Sequence, residues 1–198
     1  SQKVWADDFA NDKNITFKDG FTLTIKKKTA DIKISKGYTG YWSAFENHPE
    51  SGTFINHYMV TVETTNGTKD PVTLTDTLNT NQSGISAGDY LKGGQYLVNT
   101  FKLCKVDASG KETEIPFPEY KLGTDSNGNP QVVLDPLPAL EIEEKYIWYY
   151  DVQRNYADFD KMPNGVGMIF NTATAKAGDR EEKKAEAYYT CKTPRIEK

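Results

Sequence analysis

Three polar residues of this sequence occupy positions where its alternation calls for apolar ones. Lys36 follows Ile32 and Ile34 at period two, Asp76 stands among Val72, Leu74 and Leu78, and Asn171 stands among Ile169, Ala173 and Ala175. Successive side chains of a strand point to opposite faces, so each of the three shares the face of its apolar neighbours. An amine, a carboxyl and a carboxamide are thereby aimed at a core. A lysine buried alone tends to shed its charge, and a carboxyl in apolar surroundings favours its protonated form. Those are the states an amide-forming reaction needs. The neutral amine of Lys36 would attack the side-chain carbonyl of Asn171. Asp76, as the acid, would hydrogen-bond that carbonyl, stabilise the oxyanion and carry the proton to the departing ammonia. The product is a covalent Lys–Asn cross-link. Folding supplies the proximity, so the reaction calls for no cofactor and no metal.

The same residues admit plainer roles. Asp76 and Asn171 can cap turns and satisfy strand ends. Lys36 is followed by Gly37 and can end its strand pointing to solvent. Lys33 is a second amine, but its parity puts it on the face opposite Ile32 and Ile34. Glu141, Glu143 and Glu144 are further acids that read as a solvated strand edge.

The elements that must position these groups are strands. Period-two alternation runs through 21–25, 32–34, 58–62 and 72–75, with further strand candidates at 96–106, 111–117, 131–134, 145–153, 167–176 and 185–191. Turn signals separate them at Lys18-Asp19-Gly20, Thr65-Asn66-Gly67, Ala108-Ser109-Gly110 and Ser126-Asn127-Gly128. Helical composition is confined to short stretches near 86–93 and along Asp179–Ala187, the second of which sits where a hairpin belongs. The expectation is an all-β sandwich of antiparallel strands with at most one or two short helices. The two ends resemble each other: Lys28-Thr29 leads to Ile34-Ser35-Lys36, and Lys192-Thr193 leads to Ile196-Glu197-Lys198. This reads as one unit of a tandem array. Residues 1–29 would be a hairpin or the tail of a preceding repeat, 30–193 the domain, and 194–198 the start of the next repeat.

The segments Ile34-Ser35-Lys36, Leu74-Thr75-Asp76-Thr77-Leu78 and Asn171-Thr172-Ala173-Thr174 resemble the signature segments of Gram-positive surface adhesin and fimbrial pilin stalk domains, the collagen-adhesin-like group. Leu137-Pro138-Ala139-Leu140 followed by Lys145-Tyr146-Ile147-Trp148-Tyr149-Tyr150 resembles the late core strand of that family. The resemblance spans residues 30 to about 176. It implies an Ig-like fold and an autocatalytic isopeptide bond between Lys36 and Asn171, assisted by Asp76. It also implies a place on the cell wall, outside the cell, with neighbouring domains of the same surface protein as partners. The stretch 101–115 resembles the opening hairpin of a transthyretin-like pilin module, with Lys105 as donor, but no matching Asn-bearing last strand follows it.

The rest of the sequence narrows the function classes. At 198 residues with net charge −4, the chain can bury a core and has no basic surface of the nucleic-acid-binding kind. No apolar run is long enough to span a membrane. It shows no leader or anchor, so the secreted reading implies a segment of a longer protein. Cys104 and Cys191 form either one disulfide or a pair of buried free thiols. His48 and His57 make no ligand set, and 125–129 reads as a hairpin turn, not a calcium loop. No constellation for acting on an external substrate is found, so the expectation is not an enzyme. Tyr41 and Trp42, in the aromatic stretch 38–45, are either a contact site for a host matrix protein or glycan, or a loop packed over one end of the sandwich.

Overall fold

The computed structural model describes residues 13–25, 28–39, 45–80, 92–161 and 166–192. Among these, thirteen strands run β1 Lys13–Thr16, β2 Thr22–Ile25, β3 Lys33–Tyr38, β4 Phe45–His48, β5 Thr53–Glu63, β6 Val72–Leu78, β7 Gln95–Val106, β8 Glu112–Ile115, β9 Tyr120–Thr124, β10 Pro130–Leu134, β11 Lys145–Asn155, β12 Val166–Ala177 and β13 Lys183–Lys192. A 3₁₀ turn, Tyr156–Lys161, follows β11.

Strands β3 to β13 form two facing antiparallel sheets. One has the order β13-β12-β6-β10-β9, and the other β3-β5-β11-β7-β8 with β4 also on β5. β5 and β11 are eleven residues each and alternate half-buried with buried, β5 throughout and β11 up to its exposed last residue, Asn155. Their inward row is Tyr58, Val60, Val62, Tyr146, Trp148, Tyr150 and Val152. Opposite it stand Val72, Leu74, Leu78, Val132, Leu134, Ala173 and Ala175, all within one core. Bulky aromatics on one sheet thus face small and aliphatic residues on the other, which lets the two layers interdigitate. Trp148 and Tyr150 have ring centroids 4.5 Å apart, and Phe101 meets Trp148 edge-on at 5.5 Å.

The antiparallel β-sandwich read from alternation is the fold observed. β1, β4 and β9 escaped that reading because none of these four- or five-residue strands has a clean apolar face. The charged run after Asp179 is not helical. Gly178, at φ +55°, ends β12, and a side chain there would sit 2.7 Å from the Asp70 carboxylate. The chain then turns back as β13, which pairs with β12 from Lys183 to Lys192. The helix expected near 86–93 falls largely outside the described residues. β1 and β2 pair with each other around the expected turn and join neither large sheet. Residues 194–198, the expected start of a repeat, lie outside the described residues.

Candidate cross-link site

β3 is the outer strand of its sheet and is held in register by β5, with Lys36 opposite Val60. Asp31 fixes its beginning: the carboxylate accepts hydrogen bonds from the Asn66 and Thr65 backbone amides at 2.7 and 3.1 Å. β6 and β12 are neighbours in the other sheet, with Ala173 opposite Asp76 and Leu78 opposite Asn171. That register puts Asp76 and Asn171 on the same face, two positions apart on adjacent strands. Lys36 reaches Asp76 across the sandwich.

The Lys36 side chain does not turn to solvent at Gly37. It is 0% exposed, as is that of Asp76, and the two form an ion pair. Asn171 is 0% exposed as well. The ammonium also lies 5.0 Å from the centroids of the Tyr58 and Tyr150 rings. Burial drives the Lys36 pKa below its ordinary value, against the opposing pull of Asp76.

The sequence missed the group at the middle of this cluster. The Tyr150 hydroxyl donates to Asp76 Oδ2 at 2.6 Å. It accepts from Lys36 Nζ and, at 3.1 Å, from Asn171 Nδ2. Tyr96 donates to the other Asp76 oxygen, Oδ1, at 2.7 Å. Burial first, and the Asp76 charge second, push both phenols well above the ordinary tyrosine pKa, so both remain donors. The parity of Tyr146, Trp148, Tyr150 and Val152 announced an inward tyrosine. Nothing in the sequence announced where its hydroxyl would end.

This geometry corrects one expectation. Asp76 does not hydrogen-bond the Asn171 carbonyl directly; its bonds go to Lys36, Tyr150 and Tyr96, and Tyr150 stands between acid and amide. Asn171 Oδ1 is buried with no hydrogen-bond partner among the described residues. A buried carbonyl left in that state costs on the order of 1–3 kcal/mol. It is also an electrophile with its oxygen free to take up a donor.

The competing residues are elsewhere. Lys33 is exposed, as its parity required. Lys105 is on the surface in an ion pair with Glu144 at 2.9 Å, and Glu141 and Glu143 are exposed. Of the two readings of the cysteines, the disulfide is not found. Cys104 is a buried free thiol on β7, opposite Ile147 of β11. Its neighbour Leu103 faces the core, so parity turns Cys104 to the outer side of its sheet, whereas Cys191 belongs to β13 of the other sheet. Burial and then Glu112 raise the Cys104 thiol to about 11. Tyr41 and Trp42 lie outside the described residues; the strands flanking them, β3 and β4, lie end to end along β5. His57 and His48 form a surface chain of contacts with Asp151, Glu46 and Glu50, and no metal-holding group of His, Cys, Asp and Glu is found among the described residues. No helix among them is long and apolar enough to cross a membrane.

No family model matches the chain, and no curated protein does. Solved structures give distant likenesses. The collagen binding subdomain of the Enterococcus faecalis surface protein ACE aligns over 84% of this chain and 99% of its own, at 8% identity and TM-score 0.40. The major pilin SpaD from Corynebacterium diphtheriae aligns over 83% of this chain and 36% of its own, at 12% identity and TM-score 0.46. A carbohydrate-binding-module domain of the scaffoldin cipA from Clostridium thermocellum aligns over 74% and 85%, at 11% identity and TM-score 0.40. At this level the likenesses carry no weight on function, which is argued from the buried cluster.

Proposed function

We propose that this chain is a structural stalk or spacer domain of a cell-wall-anchored bacterial surface protein, stabilised by a Lys36–Asn171 isopeptide bond that it forms on itself. The observation that supports this reading is the meeting of a fully buried amine, carboxylate and carboxamide at one tyrosine hydroxyl. An ion pair in that setting is costly to bury and would be a poor choice for stability alone. Conversion to an amide removes the charge of the lysine. Lys36 transfers a proton to Asp76, the free amine attacks Cγ of Asn171, and ammonia departs. The chemistry happens once and consumes its own residues, so the domain is not an enzyme toward other molecules.

The bond would tie β3 of one sheet to β12 of the other. Tension applied across those strands would then load a covalent link in place of a row of hydrogen bonds. Intact-mass spectrometry of the purified chain tests the reading: the expected result is the sequence mass less one ammonia, and the full sequence mass would sink it. A role in binding a host matrix protein or glycan through Tyr41 and Trp42 predicts instead that Trp42→Ala abolishes capture in a matrix-protein or glycan screen.

A further inference from the structure

The proposed cross-link leaves one step without an agent. Asn171 Nδ2 must leave as ammonia and needs a proton delivered to it, yet the hydrogen bonds of Asp76 go to Lys36, Tyr150 and Tyr96 and not to Nδ2. Tyr150 does. Its oxygen is 3.1 Å from Nδ2, 2.6 Å from Asp76 Oδ2 and in hydrogen-bond contact with Lys36 Nζ. One hydroxyl therefore touches the nucleophile, the acid and the leaving group, and it is held there by the packing of its own ring against Trp148 and Tyr58.

Resting on the cross-link reading, we propose that Tyr150 is a catalytic residue of bond formation, the relay that passes a proton from Asp76 to the departing nitrogen. In the ground state Nδ2 is an amide nitrogen and donates to the phenol oxygen. Once Nζ has added to Cγ, Nδ2 loses amide resonance and becomes a basic amine, and the direction of that hydrogen bond reverses. The balance is closed. Nζ loses two protons in all. The first, from the ammonium, goes to Asp76 Oδ2 and frees the amine for attack. The Tyr150 O–H proton goes to Nδ2 as the Cγ–Nδ2 bond breaks, and the Asp76 proton replaces it on the phenol oxygen. The second Nζ proton, from the adduct, then passes to the vacated Asp76 Oδ2. Nζ–Cγ forms, Cγ–Nδ2 breaks, one ammonia leaves, Tyr150 returns to its starting state, and Asp76 ends protonated until the departing ammonia carries that proton away as ammonium. Tyr96, on Asp76 Oδ1, orients the acid and touches none of the reacting atoms of Asn171.

The test follows the mass of the freshly synthesised full chain over time in cell-free expression. Tyr150→Phe keeps the ring and removes the relay, and bond formation is expected to slow by about 10²-fold or more, the usual scale for a positioned acid–base group. Tyr146→Phe is the control. It removes a hydroxyl from the same face of β11, one bonded at 2.9 Å to the Pro138 carbonyl, and should leave the rate unchanged. If Tyr150→Phe does not fold, a ring-fluorinated tyrosine in place of Tyr150 keeps the packing and alters only the phenol acidity. A shift in the pH dependence of bond formation then supports the relay, and an unmoved profile overturns it. Wild-type chain that loses ammonia alongside a folded Tyr150→Phe chain that loses it equally fast overturns the relay and leaves the cross-link reading standing. Wild-type chain that keeps its full mass overturns both.

Discussion

Lys36 and Lys105 are both strand lysines, and both pair with a carboxylate, yet they have little else in common. Lys105 meets Glu144 at the surface, where its side chain is 32% exposed and water screens the pair. Such contacts are worth about 0–1 kcal/mol. Lys36 meets Asp76 with neither side chain exposed. There the desolvation of two ions opposes their attraction, and removing one partner strands the other. The difference is one of solvent access, because the pairing chemistry is the same. An ion pair that water can reach is a minor ornament of a strand. The same pair shut between two sheets, with a carboxamide beside it, is a reactive centre.

That contrast can be broken or sharpened experimentally. The largest effect should come from Asn171→Ala. It removes the electrophile, so intact mass should return to the full sequence value. The closed loop from residue 36 to residue 171 is also lost. By analogy with disulfides its contribution is about 4–5 kcal/mol, read as a fall in the urea midpoint. Next, within that uncross-linked background, Lys36→Ala should cost a further ~3–5 kcal/mol by leaving the Asp76 carboxylate buried without its partner. Equal effects of Lys36→Ala and Lys105→Ala would erase the distinction drawn above. Tyr96→Phe takes one hydrogen bond from Asp76 Oδ1 and should cost about 1.5–3 kcal/mol, with slower appearance of the cross-linked mass.

The pH dependence of the uncross-linked chain comes next. Burial lowers the folded Lys36 pKa below 10.5. Between that depressed value and 10.5, the unfolded chain binds more protons than the folded one, so stability rises with pH across the window and is lost as pH falls back through it. The slope is at most about 1.4 kcal/mol per pH unit for one group. Above the ordinary tyrosine value of 10.0, the raised Tyr150 and Tyr96 groups act in the opposite sense and stability falls. Urea titrations of Asn171→Ala with and without Lys36→Met isolate the lysine; a rise that survives Lys36→Met would assign it elsewhere. The smallest effect should be Lys105→Ala, with a change within about 1 kcal/mol that shrinks further in high salt.

Parity along single strands carried most of what could be read in advance. Val72, Leu74, Asp76 and Leu78 do share one buried face, as do Ile169, Asn171, Ala173 and Ala175. The period of a strand is a local property of its backbone, so sequence alone determined the sandwich, the shared parity of the three polar residues with their apolar neighbours and the outward direction of Lys33; that Lys36 stays in the core instead of turning to solvent at Gly37 was decided by the tertiary structure. Pairing between strands is not local. Only the tertiary structure decided that β6 and β12 are neighbours, set two positions out of step at Asp76 and Asn171, and that β3 faces them from the other sheet. It decided that Cys104 and Cys191 belong to different sheets. It also decided the place of Tyr150, one inward aromatic among several on β11, whose hydroxyl reaches Asp76 only because of how the two sheets are set against each other. A strand's sequence fixes which way a side chain points, and the packing of whole sheets fixes what it meets.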